Sequence, residues 1–170
     1  MTSSGSPSSP SPPPASSWHQ ALVLEAGANA YLAFWASLTP VTLGRLASVA
    51  RDEVRLCDPR ADACGRDAVQ AWLSALFRRT TAPRVQVRAW AWGGERVLLV
   101  RWSFSATLGR AHPVSRPLRV EGMSEITLAD DGRVCLHKNY HAGPGPSGRP
   151  RPDGPCGRPR PRPDGEDTSG

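Results

Sequence analysis

VQVRAWAWGGERVLLVRWSF, residues 85–104, decides the fold together with a second stretch, LRVEGMSEITLADDGRVCLHKNY, residues 118–140. Each is a pair of alternating runs around a turn signal, Gly93-Gly94 in the first and Asp130-Asp131-Gly132 in the second. Gly-Gly and Asp-Gly between such runs mark β-hairpins, because tight hairpin turns require positive φ. A two-residue Gly93-Gly94 turn pairs Val85, Val87 and Ala89 with Trp102, Val100 and Leu98 on one core face. Arg88, Trp90, Trp92, Glu95, Val97, Leu99 and Arg101 then form the reverse face. Two Trp, a Val and a Leu there are too apolar to be simply wetted, which predicts a homodimer through that face.

In the second hairpin a two-residue Asp131-Gly132 turn sets Glu125 opposite Lys138, a favourable cross-strand pair. Leu118, Val120, Gly122, Ser124, Ile126 and Leu128 then share the core face with Cys135, His137 and Asn139. Glu121, Met123, Glu125, Lys138 and Tyr140 face outward. A three-residue turn with a bulge is the alternative, and it exchanges His137 for its neighbours.

Upstream lie three helical segments and one short strand. Leu24, Ala28, Tyr31, Trp35 and Leu38 recur at helical spacing, giving a first helix over 18–38. Thr39-Pro40 reads as an N-cap with Pro at the first helical position, opening a second helix with Leu43, Leu46, Val49 and Ala50 on one side. Residues 53–58 form a short strand before Pro59 and a polar loop. A third helix starts near Gly65-Arg66-Asp67 and buries Val69, Trp72, Leu73 and Leu76; Asp67 at its start and Arg78 and Arg79 at its end suit the helix dipole. The order is that of an α+β fold, a curved sheet wrapped around helices.

Of the 170 residues, 1–17 are almost all Ser, Pro, Gly and Ala, and 142–170 repeat Gly, Pro and Arg. Neither end can offset its ordering entropy by burial, so both are expected to be disordered, leaving 18–141 as the folded domain. The formal charge of +6 is spread rather than clustered, which argues against nucleic-acid binding. No apolar run is long enough for a bilayer span. The four Cys form no CxxC pair, so a reduced, cytoplasmic protein is expected, with a Cys57–Cys64 bridge left open.

Ser124, His137 and Asn139 point into an apolar concavity on this register, and Asp58 at the end of the short strand reaches the same mouth. Gly122 and Ser124 leave room there, and Trp72 and Trp102 line it. An imidazole, an amide and a carboxylate around an apolar hole suit proton transfer on a small apolar molecule. The structural alternative is a core histidine bonded to Asn139, with Asp58 in an Asx turn before Pro59. His137 and His141 would lie ~13 Å apart along a strand, too far to share a metal ion. No Gly-rich phosphate loop is present, and no metal or cofactor is expected.

Residues 31–141 resemble the SnoaL-like proteins of the nuclear transport factor 2-like superfamily. The resemblance rests on Asp58-Pro59, the Gly65-Arg66-Asp67-Ala68 helix start and the Glu121-Gly-Met-Ser-Glu125 strand, followed by the Asp-Gly turn and His137. It implies a cone-shaped α+β barrel, three helices on a strongly curved, mostly antiparallel sheet with a pocket between them. Members include polyketide cyclases, ketosteroid isomerases and epoxide hydrolases, and members often pair through the sheet. The last strand of such proteins commonly reads His-x-Asp-Tyr-Trp-Asp. Here it reads His137-Lys-Asn139-Tyr140-His141-Ala, so an amide stands where a carboxylate base could be. Two functions are open: a small-molecule binder that is an isomerase, cyclase or hydrolase, with His137, Asp58 and Asn139 carrying the chemistry; or a non-catalytic dimeric module with a vestigial pocket.

Overall fold

The computed structural model describes residues 15–108 and 116–141; the expectations for the two ends fall largely outside these residues. Helix α1 spans Ala15–Ala36, a 3-10 turn Leu43–Arg45 leads into the single-turn helix α2 (Leu46–Val49), and α3 spans Arg66–Arg79. Strands β1 (Ala50–Asp58), β2 (Ala61–Cys64), β3 (Thr80–Trp92), β4 (Val97–Leu108), β5 (Arg116–Leu128) and β6 (Val134–His141) form one mixed sheet in the order β2-β1-β6-β5-β4-β3. The sheet curls around the helices without closing, since edge strands β2 and β3 do not pair. Among the described residues only β1 and β6 run parallel.

The predicted helical stripe of α1 is the one that packs: Leu24, Ala28, Tyr31 and Leu38 are buried, and Trp35 packs against the same core. The helix ends at Ala36, three residues before Thr39-Pro40. There Thr39 and Thr42 cap one another, each backbone N–H donating to the other's Oγ1 at 2.8 and 3.2 Å. The second helix is far shorter than expected, because the chain turns into β1 at Ala50, where the apolar residues read as a helical face continue as strand. The supposed polar loop after Pro59 contains β2, held to β1 by Arg55, whose Nε donates to Asp62 Oδ1 at 3.0 Å. Leu73 and Leu46 on α3 and α2 meet Leu98, Ile126 and Val134 from the sheet, all at most 2 % exposed. Each such side chain contributes about 1.5–3 kcal/mol by burial.

The first hairpin corrects the sequence reading. Gly93 and Gly94 do not take positive φ, and the loop is Gly93–Arg96, closed by the Gly93 N–H donating to Val97 O at 2.8 Å. Val87 therefore pairs with Trp102, not Val100, and a bulge between Val87 and Ala89 then shifts the register again, to Trp90↔Val100 and Trp92↔Leu98. The bulge reverses the inside–outside parity of the end of β3. Trp90 and Trp92 thus lie on the face of the core residues Leu98 and Val100, half-exposed and stacked edge to face, rather than on the outer face. The predicted outer patch of two Trp does not exist.

In the second hairpin two departures cancel. Ala129 N–H donates to Arg133 O at 2.8 Å, so the turn holds three residues, with Gly132 at φ 76°. A bulge then absorbs one residue between Val134 and Leu136. The net register from Gly122 to Thr127 is the predicted one, with Glu125 opposite Lys138 and His137 opposite Ile126, facing inward. Val134, not Cys135, fills the core; Cys135 sits at the bulge, its Sγ–H directed to Thr127 O.

Cys57 and Cys135 are free thiols, so the Cys57–Cys64 bridge does not form; Cys64 is disulfide-bonded, against the expectation of reduced thiols throughout. Among the described residues no helix is long and apolar enough to cross a membrane.

Candidate functional site

Strand parity gathers the polar residues of three elements on the concave face. Leu56 pairs with His137, Ser124 with Asn139, and Gly122 with His141, so Asp58, His137, Asn139 and His141 all project inward beside Ser124. From α1, Tyr31 reaches down onto them, its hydroxyl 2.9 Å from His137 Nδ1. The other ring nitrogen, Nε2, lies 2.9 Å from Asn139 Oδ1 and 3.0 Å from Ser124 Oγ. Asn139 Nδ2 donates to Asp58 Oδ2 at 3.1 Å, and His141 Nε2 meets the same oxygen at 3.1 Å. Trp102 Nε1–H donates to Ser124 Oγ at 2.7 Å, and Ser124 O–H to Asn139 Oδ1 at 2.7 Å.

These partners fix the direction of every proton. A carboxylate only accepts, so Asp58 takes the Asn139 N–H and turns Oδ1 of that amide toward His137. Oδ1 also only accepts, so His137 carries its proton on Nε2. Nδ1 of a neutral ring is then an acceptor, and Tyr31 donates to it. The result is one directed chain: Tyr31 to His137 to Asn139 to Asp58, with His141 donating to Asp58 from the far side. Burial pushes the His137 pKa down to about 4, opposed by its hydrogen bond to Asn139 and by the Asp58 charge. Burial likewise pushes the Tyr31 hydroxyl well above its usual range, opposed in part by a weak hydrogen bond from Trp35.

Aromatic rings enclose the chain. Trp35 stands edge to face against His137 with centroids 5.0 Å apart, and Trp102 against His141 at 5.8 Å. The room left by Gly122 is taken by Trp102: a Cβ there would lie 2.6 Å from the indole. Three side-chain polar atoms are buried without a close hydrogen bond among the described residues: Trp35 Nε1, His141 Nδ1 and Arg51 Nε. Arg51 Nε faces the Glu53 carboxylate at 2.8 Å and Trp35 Nε1 lies toward the Tyr31 hydroxyl, so His141 Nδ1 is the one left without a partner.

Of the residues singled out from the sequence, His137, Asn139, Ser124, Asp58 and Trp102 converge here. Gly122 lies beneath the Trp102 ring, and Trp72, on α3, packs against the core and makes no hydrogen bond in the chain. Asp58 does not touch His137; it acts through Asn139, and its Oδ1 also accepts the Arg60 N–H at 3.1 Å in the Asx turn foreseen as the alternative. Tyr31, Trp35 and His141 were missed. The signals were present: two polar-tipped aromatics four residues apart on the buried stripe, and a His two residues beyond Asn139 with the same parity. No group of three or more His, Cys, Asp or Glu among the described residues is placed to hold a metal ion. A groove of about 400 Å³ lies elsewhere, on the convex face among Arg84, Gln86, Arg88, Ser103, Arg119 and Glu121, and does not reach the chain of hydrogen bonds.

The fold is shared with solved proteins of low identity. An NTF2-like protein of unknown function from Exiguobacterium sp. 255-15 is 14 % identical with a TM-score of 0.58, covering 68 % of this chain and 98 % of its own. A phenazine biosynthesis-related protein from Pseudomonas aeruginosa is 8 % identical with a TM-score of 0.62, covering 74 % and 85 %. The epoxide hydrolase/cyclase-like enzyme SalBIII of pyran ring formation in the polyether salinomycin is 10 % identical with a TM-score of 0.56, covering 69 % and 92 %. No curated protein matches the sequence. The SnoaL-like domain family matches residues 28–137, the segment that holds α1 from Ala28, the sheet except the second half of β6, and all of the polar chain except Asn139 and His141; the protein belongs to that family.

Proposed function

We propose that the protein binds a small, largely apolar molecule against this concave polar chain and moves a proton on it, in the manner of an isomerase or cyclase. The observation that carries the reading is a buried nitrogen without a partner, Nδ1 of His141. A buried polar atom left unpaired costs about 1–3 kcal/mol, and natural proteins tolerate few. A ligand offering a donor to His141 would satisfy it, while the surrounding rings take its apolar body. The kinship with a cyclase-like enzyme of polyether assembly supports the same class of substrate. In this reading Asn139, Ser124 and Tyr31 hold His137 neutral and fixed, and Asp58 orients Asn139 and His141.

A second reading has its own observation: the chain satisfies both nitrogens of His137 internally, and Trp102 fills the space over Gly122. That closure favours a non-catalytic module acting through its outer sheet face as a homodimer. Leu99, Met123 and Tyr140 are exposed there, with Met123 paired across the sheet to Tyr140.

Native mass spectrometry of the full-length protein, purified gently, separates the two. The binding reading predicts one retained small molecule per chain, lost on denaturation. A bare chain mass in a dimer supports the module instead.

A further inference from the structure

The family's pattern and the sequence both draw attention to His137, yet the geometry leaves it nothing to do. Its Nδ1 accepts from Tyr31 and its Nε2 donates into Asn139 and Ser124. Asp58 is equally engaged: Oδ1 accepts the Arg60 N–H, and Oδ2 accepts from Asn139 and His141. The His141 ring differs. Its side chain is 8 % exposed, Asp58 beside it is 7 % exposed, and its Nδ1 is buried with no partner. Trp102, itself fixed by its bond to Ser124, holds the ring edge to face.

From this geometry we infer that Nδ1 of His141, and not His137, is the atom that receives the hydrogen bond, and then the proton, of a weakly acidic O–H or C–H on a bound apolar molecule. This rests on the binding reading above and goes beyond it by assigning the base. Asp58 accepts only, so it keeps the ring proton on Nε2 and leaves the Nδ1 lone pair for the ligand. In the transfer, the ligand's proton moves to Nδ1 and the bonding pair stays on the ligand as an enolate or phenolate. The imidazolium formed keeps its Nε2–H on the Asp58 carboxylate, which stabilises the new charge. Return of that proton to a different ligand atom completes an isomerisation with no co-reactant. An orienting carboxylate, an imidazole and an open nitrogen are the parts general-base catalysis requires.

The test uses the full-length chain and 4-nitrophenol, a weakly acidic O–H on an aromatic body whose absorbance reports its ionisation. Wild-type protein should bind it, enrich the phenolate form at neutral pH, and shift the 15N resonance of His141 Nδ1. His141→Ala should weaken binding on the order of tenfold, the loss of one hydrogen bond to a group that becomes charged. His141→Gln, which keeps a side-chain amide to face Asp58, guards against misfolding: it should bind the probe within a few-fold of wild type but abolish the phenolate enrichment. The 15N resonances of His137 should move little, because both of its nitrogens stay in their internal bonds. Equal binding and equal phenolate in wild type and both His141 variants would overturn the assignment while leaving the binding reading standing. A wild-type chain that does not bind the probe would overturn the binding reading and the assignment together.

Discussion

The Tyr31 hydroxyl meets His137 Nδ1 at 2.9 Å, tying the first helix to the last strand across 106 residues of sequence. The contact is fully enclosed, with Tyr31 2 % and His137 5 % exposed. It engages the imidazole nitrogen that Asn139 leaves without a proton, and through Asn139 it couples the helix to Asp58 at the far rim.

Tyr31→Phe keeps the ring and removes only this donor. His137 Nδ1 is then a buried acceptor without a partner, at a cost of about 1–3 kcal/mol. Urea denaturation should show a lower midpoint with an unchanged slope. An unchanged midpoint would mean that the hydroxyl and the imidazole are not joined in solution.

The pH dependence comes from the depressed His137. Above pH ~6.5, the ordinary His value, the ring is neutral folded and unfolded, and the burial costs nothing further. Between 6.5 and about 4 the unfolded chain takes up a proton that the folded chain refuses, so stability falls as the pH falls. Below about 4 the folded ring protonates too and this slope ends. The total loss is about 3 kcal/mol. Denaturation curves from pH 7.5 to 4 should show it, and His137→Gln should flatten it.

Helix α1 crosses the β5–β6 turn backbone on backbone. A Cβ on Gly27 would lie 2.0 Å from the Gly132 carbonyl oxygen, which cannot move aside. Gly27→Ala should therefore destabilise by about 1–3 kcal/mol, as overpacking does. Gly44, in the 3-10 turn, has open space around its Cβ direction, and Gly44→Ala should be neutral or slightly stabilising. Thermal melts of the pair check this, and equal behaviour would place α1 differently.

If two copies pair, they do so through the convex face around Met123, between Arg101 on one neighbour and Tyr140 on the other. Met123→Lys should then yield monomers in sedimentation, by repulsion between like charges brought together at the two-fold. Trp90→Ser with Trp92→Ser should leave association intact, since both face the core side. Loss of association only in the Trp variant would restore the first hairpin's predicted register.

Much of the fold was readable because each clue was local and strong. The stripe from Leu24 to Leu38, the charges at the ends of α3 and the Glu125–Lys138 pair each derive from periodicity or from a neighbour across a strand. One-residue detail escaped. The bulge between Val87 and Ala89 leaves no mark in an alternating run, yet it moves Trp90 and Trp92 to the other face. The second hairpin takes the three-residue turn with a bulge weighed as the alternative, but its bulge, between Val134 and Leu136, compensates the longer turn, so His137 keeps its place instead of being exchanged for its neighbours. At the site, residue types and parity brought His137, Asn139, Ser124 and Asp58 together. Nothing local could tell that Trp102 fills the space above Gly122, or that Tyr31 closes the imidazole from the helix, because both depend on how α1 and the sheet meet.

The central claim is that the concave face holds one directed hydrogen-bond chain in which His137 is neutral with its proton on Nε2. Long-range 15N–1H spectra of the 15N-labelled full-length protein test it most directly. The structure predicts a His137 Nε2–H tautomer at pH 7, unchanged down to about pH 4, with Nδ1 showing the shift of an accepting nitrogen. A proton on Nδ1, or a ring that titrates near 6.5, would contradict the chain and the direction of every bond in it.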